Sequence, residues 1–446
     1  MVAVQLAHLP QLLAGTVHIV EPRPTLGPGL AYQQRRPEHL LNVRMPYLSA
    51  FPDQPNHFAE WLQATSAAVC ENHFCSRQTY GRYVQALTAD IVANPAANGL
   101  SFCWHQQEAA GVEMAADGRQ ATVHLSDGTQ ISSDVVVLAL GNFPPSAPIK
   151  PGPYLTYAGF HNNPWAEGAL RGIAATDEVL LIGSGLTAMD VLMGLRADEH
   201  HGPITVVSRH QRWPVSHHPL APPYPSFYET ELRGLGTVGE IVAAVRRQVR
   251  LAAAQGIGWR QVFDSLRPHL GAIWVTWPLV EQARFLRHLS SLWSVLRHRS
   301  PPQNHVALHE LLATGQLRMH SGRVRRIKEA GENLRVQIEH RGQLGLLTAR
   351  HVINCTGPSL DYTRIQNPLV VGLREAGWLQ PDPLRLGILT DKHGALLDAT
   401  GRASAVLFTL GPSRRPAYFE STAVPELRQQ AAALAQELGQ RWNSAQ

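Results

Sequence analysis

Residues 179–195, VLLIGSGLTAMDVLMGL, carry the strongest chemical signal in the chain. Apolar residues suited to a buried strand run into Gly183-x-Gly185-x-x-Ala188, and a helical pattern follows at once. Gly183 permits a tight turn, Gly185 lets the main chain approach a pyrophosphate, and the small Ala188 lets helix and strand pack closely. The free N–H groups at the helix start then present a positive dipole end to phosphates. The next strand, ITVVSRH, ends in Ser208-Arg209, with Arg212 just beyond. An NAD site carries an acid there, whereas a guanidinium suits a 2′-phosphate. NADPH is therefore the expected nucleotide, the alternative for Arg209 being a solvated loop charge.

A second nucleotide unit is visible near the N-terminus. VHIVEPRP is a short strand ending in a lone acid, Glu21, placed to hold the ribose of FAD or NAD. Gly183 precedes Arg209 by 26 residues. The same spacing back from Glu21 puts the matching first glycine about five residues before Met1. This unit is thus expected to have its helix and second strand but neither first strand nor glycine loop, leaving the chain about a dozen residues short. Three further strands end in glycine: VVVLALGN at Gly141, HVINCTGP at Gly357 and LFTLGP at Gly411. Cofactors sit at such strand ends in doubly wound sheets. After Gly411 the chain enters a helix, with Thr422 near its start and Pro425 suited to the first turn.

These residues carry a family resemblance over essentially the whole chain. It resembles bacterial FAD/NAD(P)-binding proteins that include the FAD-dependent urate hydroxylases and aspartate N-monooxygenases. More distantly it is similar to flavin-containing and ornithine N-hydroxylating monooxygenases. The matching stretches are 21–32, 39–52, 80–83, 138–145, 180–191, 353–358 and 410–431. The resemblance implies that Glu21 holds the adenosine ribose of FAD, while Gly27, Gly29 and Tyr32 shape the loop beside the flavin. It implies ring contacts from Asn42, Val43, Arg44 and Met45. NADPH would be held by Gly183, Ser184, Gly185, Leu186, Thr187 and Arg209. The family opens on a strand and glycine loop that clasp the FAD pyrophosphate. Weak FAD binding is therefore expected of the present chain.

The elements needed to position these residues alternate strand and helix, the mark of α/β architecture. We expect two doubly wound, Rossmann-like dinucleotide-binding domains. Residues 1–150 and 346–446 would form the FAD domain, and 151–345 the NAD(P)H domain, with a helical insertion at about 213–315. Residues 146–175 read as a linker. Phe285, Leu289, Leu292, Val295 and Leu296 read as one helix face, and Pro425–Leu438 as a last helix.

The length, 446 residues, suits two or three domains without staples. Charged residues make up only 16%, and the net charge of +5 comes from 36 Arg and 3 Lys. The arginines are scattered, which argues against nucleic acid. No apolar run reaches membrane length. Four cysteines at irregular spacing fit a reduced cytoplasm. Cys70 and Cys75 lie too far beyond Glu21 for a flavin-linked redox pair, and Cys355 reads as packing. The 22 histidines show no metal-ligand spacing. His217 and His218 lie where they could reach the domain cleft, and the Trp-rich insertion would cover it. Catalytic side chains are not legible, because a flavin does the oxygen chemistry itself. The function expected is FAD- and NADPH-dependent hydroxylation, with O₂, of a small polar molecule: a purine such as urate, or an amino acid. The alternatives are a flavoprotein reductase without oxygenation, or a non-catalytic nucleotide binder.

Overall fold

The computed structural model describes residues 1–446 except 11, 13, 34–35, 66–73, 220 and 445–446. The chain opens with α1 (Val2–Ala7) and β1 (Gly15–Val20). Helices α2 (Gly29–Tyr32), α3 (His57–Ala64) and α4 (Arg77–Ala93) lead to β2 (Leu100–His105). Ser76 stands extended before α4 and its hydroxyl accepts from the Thr79 N–H at 3.0 Å, satisfying a donor the helix leaves free. β1 and β2 pair in parallel, from Gly15 opposite Leu100 to Val20 opposite His105. Val17, Ile19, Leu100 and Phe102 alternate into a core shared with Tyr80 and Tyr83 of α4. The meander β3 (Ala109–Met114), β4 (Ala121–Leu125) and β5 (Gln130–Ser133) turns at Asp127-Gly128 as expected, with Gly128 at φ +89°. β6 (Val136–Leu138) follows.

The second unit starts with β7 (Phe160–His161), β8 (Val179–Ile182), α5 (Leu186–Ala197) and β9 (Ile204–Ser208). Six helices come next: α6 (Val238–Ala254), α7 (Trp259–Ser265), α8 (Leu270–Thr276), α9 (Leu279–His288), α10 (Ser290–Arg297) and α11 (Pro302–Ala313). The chain returns through β10 (Leu317–Ser321), an antiparallel sheet of β11 (Arg323–Ala330), β12 (Asn333–His340) and β13 (Gln343–Ala349), and β14 (His351–Asn354). One parallel sheet runs β10-β9-β8-β14-β7. Its inner strands β8 and β14 are buried at every residue, as a sheet covered on both faces requires.

The last segment holds α12 (Pro368–Glu375), β15 (Ala395–Leu397), β16 (Ala403–Thr409), α13 (Arg415–Tyr418) and α14 (Val424–Ser444). β16 pairs in parallel with β6, so both ends of the chain build the first unit. The Thr409 hydroxyl donates to the buried Leu138 carbonyl at 2.7 Å and locks that register. Ion pairs join the units, among them Arg36 to Asp198 at 2.6 Å and Arg77 to the buried Asp190 at 3.0 Å. The architecture is the expected α/β fold of two parallel-sheet units with a helical layer. No helix among the described residues is long and apolar enough to cross a membrane.

Local expectations differ in four places. Residues 146–175 are more than a linker: β7 joins the second sheet and Tyr154 is buried under it. That sheet also takes in β14, beyond the expected boundary at 345. The face from Phe285 to Leu296 is split between α9 and α10, which meet at Leu289, so Leu292 turns outward. Cys75 is buried and disulfide-bonded, where reduced cysteines were expected; Cys70 lies outside the described residues.

Two predictions follow from the second sheet. Gly183 has φ +109°, and a Cβ there would stand 2.7 Å from the Cys355 carbonyl oxygen. Gly183→Ala should cost about 2 kcal/mol or more in chemical denaturation. His161 lies beside His351 at 3.1 Å, which in turn contacts Asp177 at 3.0 Å. Burial, and then the charge of His351, push the His161 ring down to about 4. Between about pH 6.5 and 4 the unfolded chain gains this proton and the folded chain does not, so stability falls on acidification. Asp177, held below its ordinary value in the folded state by its hydrogen bonds and His351, adds a loss of the same sign. Thermal midpoints should drop across that window, by the equivalent of roughly 3 kcal/mol from His161, and His161→Asn should flatten the profile.

Candidate nucleotide-binding cavity

One cavity of about 1840 Å³ draws its walls from both units. At its base lies a slot between β1 and β6. All six residues of β1 line one side, and Val135, Val137 and Ala139 line the other. Met1, Val2, Ala3 and Leu6 on the α1 side and Leu438, Gly439 and Trp442 of α14 complete this apolar groove. β1 is laddered only to β2, and β6 only to β16, among the described strands. The free edges of both therefore face the cavity.

The first-unit residues read from sequence divide clearly. Glu21 lies on the cavity at the end of β1, but its carboxylate accepts twice from the Arg23 guanidinium, at 3.0 and 3.1 Å. A ribose would have to share or displace that pair. Gly29 and Tyr32 line the wall, as do Asn42, Val43 and Arg44. Gly27 lies off the cavity: at φ +106°, an added Cβ would sit 2.6 Å from the Thr88 hydroxyl, so it permits close contact with α4. Met45 also departs from expectation, packing into the first core. Gly141 and Gly411 reach the cavity with positive φ, at +64° and +78°. The Gly411 N–H already donates to Gln430 Oε1 at 2.9 Å. Thr422 lines the wall two residues before α14. Gly357 does not line it, though its neighbour Pro358 does.

The glycine turn of the second unit sits at the cavity margin. Leu186 and Thr187, the first turn of α5, line the cavity, while Gly183, Ser184 and Gly185 lie behind them. Nothing stands within 4 Å of a Cβ built on Gly185, so main chain there is open to a ligand. The Ser184 hydroxyl donates to the Arg212 carbonyl at 2.7 Å and ties the turn to the loop after β9. Arg209 and Arg212 are joined by Arg323 at the start of β11. Burial and then these three guanidinium groups hold His210 below the ordinary histidine range. Arg323 was invisible in the sequence because β11 lies over a hundred residues beyond β9 and only the sheet returns it there.

The roof comes from the helical layer. The half-buried His217 Nε2–H donates to the Asn42 carbonyl at 3.0 Å, and its ring is pushed down to about 4, chiefly by desolvation. It is neutral at physiological pH. Arg44 donates to the His218 carbonyl, so the expected reach of the His217-His218 pair into the cleft is real and bridges both units. Arg260 and Arg299 both lie over the Trp259 ring, at 4.6 and 5.7 Å. Asp264 is taken by Arg299 at 2.9 Å, and Glu426 by Arg267 and Arg297. Arg44 and Arg260 line the cavity with no ion pair to a carboxylate among the described residues. Tyr80 and Tyr83 are fully buried in the core, and Cys355 is buried with its thiol pushed up by desolvation, as packing residues.

Comparison with known proteins agrees with this geometry. A family model described as FAD-NAD(P)-binding matches residues 1–143. No curated protein sequence matches the chain. Among solved structures, an ornithine N-hydroxylase of Kutzneria sp. 744 is 14% identical over 99% of this chain and 96% of that one, with a TM-score of 0.64. The FAD-bound cadaverine monooxygenase of Erwinia amylovora is 11% identical over 98% and 91%, with a TM-score of 0.66. L-lysine 6-monooxygenase from Pseudomonas syringae is 15% identical over 92% and 87%, with a TM-score of 0.60. The chain has the fold of these flavin enzymes.

Proposed function

We propose that the chain is a FAD- and NADPH-dependent monooxygenase of a small amino-acid-like substrate. The observation that carries this reading is the single cavity reached by two nucleotide units. The first turn of α5 opens on it from one side, and Gly141, Gly411 and the 42–44 loop open on it from the other. Bound FAD would supply electron transfer from NADPH and activation of O₂.

The chain's own residues bind, orient and exclude water. Main chain at Gly185 and the N–H groups opening α5 fit a pyrophosphate. Arg209, Arg212 and Arg323 fit a 2′-phosphate, where an acid would repel it. Tyr32, Asn42–Arg44, Gly141 and Gly411 fit the flavin side, with positive-φ glycines presenting bare backbone to a flat ring. At the other end of that cofactor the fit is poorer. No strand–glycine–helix turn faces the Glu21 end among the described residues, so the FAD phosphates are left to Arg23 and the β1 edge. Arg44 and Arg260, half-buried on the cavity wall and without carboxylate partners among the described residues, fit a carboxylate on the substrate. The helical roof shields the reaction from water.

Of the two substrate classes expected, the solved relatives favour an amine-bearing, amino-acid-like molecule over the purine, since their names specify ornithine, lysine and the diamine cadaverine. The decisive experiment follows NADPH oxidation with saturating FAD and candidate amino acids. Oxygen-dependent turnover yielding hydroxylated product supports the proposal. Oxidation indifferent to O₂ supports the reductase reading instead. The double variant Arg209→Ala/Arg323→Ala should weaken NADPH by about tenfold or more while NADH is little changed. Arg260→Ala should raise KM for a carboxylate-bearing substrate by about tenfold with NADPH affinity unaltered, read by steady-state kinetics.

A further inference from the structure

β1 and β2 carry a side-chain cluster to which the nucleotide reading gives no specific role, although His18 also lines the cavity. His18 stands opposite Cys103 in the parallel ladder, and His105 follows two residues on along the same face. That face turns away from the helices: Val17, Ile19, Leu100 and Phe102 point into the core, while His18 and Cys103 are exposed. One ligating atom from each of His18, Cys103 and His105 lies within 4.8 Å of the others. His18 Nδ1 is 2.9 Å from His105 Nε2. At that distance one ring nitrogen donates and the other must be unprotonated. Cys103 forms no disulfide.

We propose that His18, Cys103 and His105 form a binding site for a borderline-soft divalent cation of the zinc class. Two imidazoles and a thiolate are ligands such an ion prefers, and three protein ligands leave a fourth position for water. Zinc–nitrogen bonds of about 2.0–2.1 Å in a tetrahedron would set the two ring nitrogens about 3.3 Å apart, a small opening of the present contact. Uptake is balanced simply. The donating ring moves its proton to its other nitrogen, and the Cys103 thiol releases one proton to solvent. The three ligands come from neighbouring strands of a two-stranded ladder, an element weak by itself. The bound ion clamps β1, whose residues, His18 included, line the cavity.

The test is titration of the full chain with zinc against a chromophoric chelator, and with cobalt(II) followed by absorption. One equivalent of cobalt with a thiolate-to-cobalt charge-transfer band is expected. Cys103→Ser should abolish that band, and Cys103→Ser and His18→Ala should each weaken zinc by at least about tenfold. Thermal midpoints in chelator should stay unchanged, since both positions are exposed. Thr16→Val, on the same face and outside the cluster, should bind zinc as the parent does. Zinc should raise the thermal midpoint of the parent and not of Cys103→Ser. Absence of the charge-transfer band in the parent, or equal zinc affinity in Cys103→Ser, would overturn the proposal.

Discussion

The parallel ladder between β6 and β16 is the constraint on which the molecule depends. It joins segments 271 residues apart, and the Thr409 hydroxyl on the Leu138 carbonyl fixes their register. Closing so long a loop is entropically costly, and burial must offset it. Phe408 and Ala395 provide that burial under α14, with Val2 and Leu6 of α1 packed alongside. Once the ladder is formed, Gly141 and Gly411 both reach one wall of the cavity. The helical layer then lies over the opening.

Arginine shapes the electrostatics of that cavity. Most of its guanidinium groups are neutralised within the fold: Arg23 by Glu21, Arg77 by Asp190, Arg299 by Asp264, and Arg267 and Arg297 by Glu426. The more buried of these pairs, such as Arg77 with Asp190, mainly specify geometry, since desolvation consumes much of their attraction. Arg44 and Arg260 differ because one bonds a carbonyl and the other lies on an indole ring. Their charge is left for a ligand. The neutral His217 beside them holds the roof to the first unit without adding a further positive charge.

The strand-to-helix glycine turn was legible because its requirements are local. Gly183, Gly185 and Ala188 answer to contacts within one βαβ unit, and the strand before and helix after are continuous in sequence. The meander turn at Asp127-Gly128 is local in the same way. The linker reading of 146–175 failed because β7 is two residues long and exists only through its pairing with β14. Gly27 and Met45 were placed beside the ligand by resemblance, yet one faces α4 and the other the core. Neighbouring residues on a loop point in different directions, and spacing alone does not resolve them.

Sequence by itself determined the fold class, the strand–glycine–helix turn of the second unit and the basic ending of β9, since hydrophobic period and glycine position act over short range. Tertiary structure decided which residues share a surface. Arg323 reaches Arg209 through the return of the sheet, and Arg260 shares a cavity with Arg44 through the helical roof. Cys103 and His105 meet His18 only because β1 and β2 pair in that register. Each depends on contacts between residues tens to hundreds of positions apart, which no local pattern encodes.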